Sequence, residues 1–284
     1  AIHPATGETY FSDVFNRCIW YRDVSGPSAV MKKFSADDDG LLGVFALKFS
    51  ADGRTLWATS SALPEMKGYT LGDQGRALLA EYDLATRRLR RIHALPLPAD
   101  NRPHVLGDMI QADDGTLYVT DSLSPVIWRL VPGGDQLEKW VENTEFRSLQ
   151  GIAFSADGRS LYVADYSRGL RRIDLDSRQS TLLAVPAGTE LRGLDGLYAV
   201  PGGLIAVQNG TKTQRILRLT LDVTGAPAAV RTLYSGQPGV SDLGLGQVIN
   251  GRLHFIGNSG WSAFEQNQGP SPARTVTILT TAVE

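Results

Sequence analysis

Apolar and polar positions alternate in short runs along most of the chain, and the runs come in pairs joined by turn residues. Residues 149–166 read LQGIAFSADGRSLYVADY. This stretch predicts a strand over 150–155, a tight turn over 156–159 and a second strand over 160–164 that closes on Asp165. Gly158 takes a positive φ in the turn without steric cost. The same phrase recurs at 45–60 (FALKFSADGRTLWATS), 107–122 (GDMIQADDGTLYVTDS), 195–210 (DGLYAVPGGLIAVQNG) and 244–259 (GLGQVINGRLHFIGNS). No long window shows apolar residues at helical spacing, so strands and turns dominate.

The copies divide the chain into six repeats of three or four short strands, over approximately 1–38, 44–92, 104–141, 147–185, 193–235 and 242–284. The first is incomplete: residues 1–4 align with the end of an inner strand, followed by strands at 10–13, 18–22 and 29–34. One such sheet cannot bury both faces alone, whereas sheets set radially pack on their neighbours. The expected fold is therefore all-β, a six-bladed β-propeller forming one domain over 1–284. Inner strands would line a central tunnel, and a C-terminal strand is expected beside the first repeat. Connectors are expected at 35–40, 93–101 and 263–273, with an insertion at 61–74.

Composition narrows the functional classes. The 284 residues are 42% hydrophobic and 20% charged, with a net charge of −2. No basic patch is long enough to point to nucleic acid. The run Arg87-Arg88-Leu89-Arg90-Arg91 reads as a solvated outer strand whose charges protect an edge. The single cysteine, Cys18, excludes an internal disulfide and reads as a buried small hydrophobe. No apolar stretch is long enough to span a membrane. The start at Ala1 rather than Met fits either a mature exported chain or a piece of a longer one. The localisation expected is periplasmic or secreted, or else cytoplasmic, and the chain is read as a monomer.

In a propeller the residues opening each inner strand meet at one tunnel mouth. The alignment makes Phe45, Gly107, Gln150 and Asp195 equivalent, with Asp108 directly after Gly107. Asn209 and Asn258 lie near the ends of second strands. Side-chain oxygens gathered this way suit a hard cation such as Ca²⁺, and equally a sugar-like ligand. Asp195 opens a strand rather than closing a turn, which marks it as ligand or catalytic residue. Asp13, Asp121 and Asp165 close second strands and Asp114 and Asp157 sit in turns, so all five read as turn residues. His104, four residues before Asp108, and Trp261 are rim candidates for substrate contact, and Met66 and Tyr69 in the insertion are placed to cover the mouth or to pack down. No Gly-x-Ser-x-Gly elbow supports a nucleophilic triad.

The stretches TYFSDVFNRCIW, GDMIQADDGTLYVTD, LQGIAFSADGRSLYVADY and LDGLYAVPGGLIAVQNG resemble the gluconolactonase, senescence-marker-protein and luciferin-regenerating-enzyme family of six-bladed propellers. The resemblance implies one divalent cation held by a Glu, an Asn and an Asp. The Asp matches Asp195, the Asn position carries Gln150, and the Glu position falls just upstream of Ala1. A further Asn near substrate corresponds to Gly107, with Asp108 beside it. The activity implied is that of a metal-assisted hydrolase of a lactone or cyclic ester, using Ca²⁺, with Zn²⁺ and Mn²⁺ as alternatives. Asp195 is then ligand and base, Asp108 the alternative base, Gln150 a metal ligand, and Asn209, His104, Asn258 and Trp261 substrate contacts. The competing reading is a non-catalytic propeller without a metal, binding a small ligand or a protein.

Overall fold

The computed structural model describes residues 1–23, 30–95, 102–237, 240, 242–265 and 275–284. The chain forms two compact units, Ala1–Phe146 and Arg147–Glu284, with three antiparallel sheets in each. In the first unit, blade 1 contains β1 (Thr9–Asp13), β2 (Cys18–Arg22) and β3 (Met31–Lys33). Blade 2 contains β4 (Gly43–Phe49), β5 (Thr55–Ser61), β6 (Ala77–Asp83) and β7 (Arg88–Ala94), and blade 3 contains β8 (Leu106–Gln111), β9 (Leu117–Asp121), β10 (Val126–Leu130) and β11 (Glu138–Glu142). In the second unit, blade 4 contains β12 (Leu149–Phe154), β13 (Ser160–Asp165), β14 (Gly169–Asp174) and β15 (Ser180–Leu182). Blade 5 contains β16 (Leu194–Val200), β17 (Gly203–Gln208), β18 (Arg215–Leu221) and β19 (Pro227–Ser235), and blade 6 contains β20 (Gly246–Ile249), β21 (Arg252–Ile256) and β22 (Ile278–Ala282). Strands follow one another in sequence order within every sheet, so the architecture is the expected six-bladed β-propeller.

The repeated turn explains why the hairpins recur. Ser155 Oγ donates to Asp157 Oδ1 at 2.6 Å, and Asp157 Oδ1 accepts from Arg159 N at 3.1 Å. Ser160 N returns a bond to Ser155 Oγ at 2.9 Å, while Gly158 adopts φ +68°. Blade 2 repeats this bond for bond through Ser50, Asp52, Arg54 and Thr55. Asp157 and Asp114 are thus turn residues, as their positions imply; Asp114 Oδ1 accepts from Thr116 N at 2.8 Å.

Of the two expectations about the ends, one is met and one changes. Residues 1–3 do run beside β1, with Tyr10 N donating to Ala1 O at 2.7 Å and Ile2 bridging Thr9. The C-terminal strand, however, does not join the first repeat: β22 pairs with β21 from Arg252↔Ala282 to Ile256↔Ile278 and completes blade 6. Parts of the expected connectors at 93–101 and 263–273, and residue 29 of the expected strand 29–34, lie outside the described residues.

Alternating apolar positions from facing sheets make the core. Tyr10, Phe34, Leu42, Leu56 and Tyr82 form one cluster between blades 1 and 2. Leu170, Leu194, Leu204 and Leu219 fill the space between blades 4 and 5. Met66 is buried and Tyr69 packs against the first cluster, so the 61–74 insertion folds down onto its own blades. The basic run lies on the outermost strand of blade 2 and is matched by carboxylates: Arg90 with Glu81 and Asp83, Arg91 with Asp135, and Arg87 with Glu8. The only α-helix among the described residues, α1 (Trp261–Glu265), is short, and no helix is long and apolar enough to cross a membrane.

Candidate functional site

The inner strands of blades 2 to 5 share a defect that composition does not announce. Each carries a β-bulge near its start, at the second position or, in blade 2, the third, where two residues face one on the partner strand. The bulged pairs are Phe45-Ala46, Gly107-Asp108, Gln150-Gly151 and Asp195-Gly196, opposite Thr59, Thr120, Ala164 and Val207. A bulge breaks the pleat and re-aims a side chain, so each opening residue escapes the simple in–out alternation. The spare N–H of the bulge needs an acceptor. Thr59 Oγ1 accepts from Ala46 N at 2.9 Å, and Thr120 Oγ1 accepts from Asp108 N at 3.1 Å.

Asp195 is half-buried on the blade 5 bulge. Its Oδ2 accepts from Asn209 Nδ2 at 2.7 Å, and the same amide nitrogen donates to Leu243 O at 3.0 Å. Both neighbours accept only, so the NH₂ must face them and the amide cannot be flipped. Asn209 Oδ1 is consequently left buried and, among the described residues, without a donor. An orphaned buried acceptor costs about 1–3 kcal/mol unless a donor or cation meets it. Gln150 opens the bulge on the adjacent strand β12, and its Nε2 donates to Ser148 Oγ at 3.1 Å. The two openings are drawn together by Gly151, where an added Cβ would lie 2.4 Å from Asp195 O and from Leu197 N. The second unit thus joins Asp195 to Asn209 by a hydrogen bond and sets Gln150 on the neighbouring strand, one residue before the Gly151 contact.

Asp108 and His104 both belong to blade 3. Asp108 is buried; its Oδ1 accepts from Met109 N at 2.9 Å and lies 3.6 Å from Lys48 Nζ. His104 is also buried, with Nδ1 2.6 Å from Asp121 Oδ2; an ionised carboxylate only accepts, so Nδ1 carries the proton. Asn258 has its amide engaged at both ends by main chain, Thr275 O at 2.6 Å and Thr277 N at 2.8 Å. Trp261 is 38% exposed at the start of α1, where Asp242 Oδ2 accepts from Ser262 Oγ at 2.7 Å.

The residues closing second strands serve as latches. Asp13 Oδ2 accepts from Trp20 Nε1 at 2.9 Å, and Asp121 Oδ2 from Trp128 Nε1 at 3.1 Å. In blade 4 the partner is charged: Arg171 Nε donates to Asp165 Oδ2 at 2.9 Å, both side chains fully buried. In blade 5 the carboxylate is replaced by Gln208, whose Oε1 accepts from Arg215 Nε at 3.0 Å. Asp13, Asp121 and Asp165 therefore tie the turn to the third strand, in agreement with their structural reading. The spacing of an acidic or amide closer and a Trp or Arg six or seven residues later is the signal that reveals the latch.

The donor set tests the divalent cation that the family resemblance implies. Among the described residues no group of three or more His, Cys, Asp and Glu is placed to hold a metal. What blades 4 and 5 offer is one carboxylate with carboxamides, an all-oxygen set that fits a hard cation and not a thiolate- or imidazole-seeking one. The undonated oxygen of Asn209 is the feature of this set that favours a cation.

No model of a known protein family matches the chain, and no curated protein matches it. Among solved structures it is similar to regucalcin, a calcium-binding protein from Agrobacterium tumefaciens, at TM-score 0.63 and 16% identity over 100% of this chain and 90% of that one. A streptogramin B lyase is similar at TM-score 0.60 and 16% identity, over 99% and 80%. The PQQ-bound form of an aldose sugar dehydrogenase from Streptomyces coelicolor is similar at TM-score 0.59 and 12% identity, over 98% and 99%. These proteins carry different chemistries on one scaffold, so the likeness establishes the six-bladed β-propeller fold and leaves function to the site.

Proposed function

We propose that the chain is a hydrolase of lactones or related cyclic esters, assisted by a divalent cation, with Asp195 at its centre. The observation that carries this reading is the geometry of Asp195 and Asn209: a half-buried carboxylate on a strand bulge, oriented by an amide whose oxygen has no donor among the described residues. Asp195, Gln150 and Asn209 would hold the cation, with Ca²⁺ favoured by the oxygen-only set and by the likeness to a calcium-binding protein. When bound, such a cation polarises a carbonyl and lowers the pKa of a water. The chain's own part is to orient Asp195 through Asn209, fix its strand through the Gly151 contact, and take a proton from the attacking water on the carboxylate. Asp108 is already engaged by Met109 N and Lys48, so the base of this proposal is Asp195.

The test is turnover of gluconolactone and of an aromatic lactone by metal-stripped protein supplied with Ca²⁺, Mn²⁺ or Zn²⁺. Asp195→Ala should lower kcat/KM by about 10²-fold or more, the usual contribution of a positioned base. No turnover above buffer with any of the three metals would sink the reading. The alternative, a non-catalytic propeller binding a small ligand or a protein, is favoured by the presence of only one carboxylate in this set. It predicts saturable ligand binding without turnover.

A further inference from the structure

Blade 5 carries a second constellation that does not involve Asp195. Beyond Asn209, a cleft of about 530 Å³ is lined by Thr211, Lys212, Thr213, Arg215, Thr232 and Ser235. The cleft is shallow and open to solvent. Four of its lining side chains are hydroxyls, two are cations and none is acidic.

The charge of Arg215 follows from how blade 5 departs from blade 4. In blade 4 the closing residue is Asp165, and its carboxylate neutralises Arg171. In blade 5 the closer is the fully buried Gln208, whose Nε2 donates to Glu190 O at 2.9 Å and to Arg192 O at 2.8 Å. Two carbonyls on that side force the amide oxygen toward Arg215, where it accepts from Nε and from Nη2. The guanidinium is therefore fixed in place by a neutral group that cancels none of its charge. Lys212 is exposed beside it, and among the described residues neither cation is in an ion pair.

We propose that this cleft binds the phosphate group of a small phosphate monoester. Arg215 has further N–H groups to offer from a fixed plane, which suits two oxygens of one anion. Lys212 supplies a movable point charge, and the hydroxyls of Thr213, Thr232 and Ser235 can donate to the remaining oxygens, while Thr211 Oγ1 donates to Thr213 O at 2.8 Å and holds the loop in shape.

Isothermal titration at low ionic strength tests this with glucose 6-phosphate, inorganic phosphate, citrate and glucose as probes. Saturable binding of both phosphates, with none of glucose, is the expected result. Lys212→Ala should weaken it about 10-fold and Arg215→Gln about 10- to 100-fold, as for lost hydrogen bonds to a charged group. Lys212 is exposed and its truncation leaves the fold alone, so that variant decides the matter even where Arg215→Gln unsettles blade 5. Absence of phosphate binding by the unmodified chain, or equal affinity in Lys212→Ala, would overturn the assignment, as would binding of citrate alone. Asp195→Ala should bind the phosphates unchanged, which separates this outcome from the fate of the hydrolase reading.

Discussion

Gly151→Ala is the sharpest single test of how blades 4 and 5 meet. The added methyl would sit 2.4 Å from Asp195 O, 2.4 Å from Leu197 N and 2.7 Å from Gly196 C. All three atoms are main chain and cannot rotate aside. Reaching even 3.0 Å needs β12 and β16 to part by about 0.6 Å, in a region packed by Leu194, Leu197 and Ala153. Overpacking of this kind costs about 1–3 kcal/mol, and immobile neighbours put this case near about 3. For a chain of this size that is a fall in Tm of about 6–12 °C. Thermal and urea unfolding measure it, with Gly158→Ala as control. There the new methyl meets nothing within 4 Å, and only the φ of +68° is penalised, by about 1 kcal/mol. A Gly151→Ala protein within about 0.5 kcal/mol of the unmodified one would refute the close approach, and with it the meeting of β12 and β16 at their bulges.

Buried groups supply the remaining tests. Thr120→Val keeps the shape of the side chain but removes the hydroxyl that accepts from Asp108 N, so urea unfolding should show a loss of about 1–3 kcal/mol. Cys18 is 1% exposed, and burial, reinforced by the charge of Asp13, pushes its thiol from 9.0 up to about 12. It should resist iodoacetamide in the folded protein and react on unfolding; ready labelling of the native chain would contradict the packing of β2. Tyr10 and Tyr82 are also raised by burial, helped by Glu8 and by the bond to Asp39. All three groups are neutral in the fold and ionise more easily when unfolded. Their contribution is complete below about pH 9 and is lost as pH rises toward 12, so alkaline titration should unfold the chain cooperatively in that window.

The hairpins were legible because their information is local. Ser-Ala-Asp-Gly-Arg fixes a turn by bonds within itself, and the same letters in blades 2 and 4 give the same bonds. The alignment of Phe45, Gly107, Gln150 and Asp195 was also legible, since all four begin a bulge. The bulge was not, because alternation predicts a regular pleat and the stabilising hydroxyl of Thr59 or Thr120 lies on the partner strand. His104 beside Pro103 offered no hint of burial against Asp121, seventeen residues away. The partners of Asn258 at Thr275 and Thr277 lie across a long connection that periodicity cannot bridge. The uncancelled charge of Arg215 was visible in principle, in the exchange of a closing Asp for Gln208, but only once the closers were known to meet the third strand.

The self-contained turn has a consequence for assembly. Its bonds close between Ser155 and Ser160, and again between Ser50 and Thr55, so very little chain entropy is surrendered in forming them. The pairing of the first two strands in those blades is then decided before distant segments come into play. A slip by one residue, which would turn a buried row outward, is blocked at the hairpin tip rather than by the finished sheet packing.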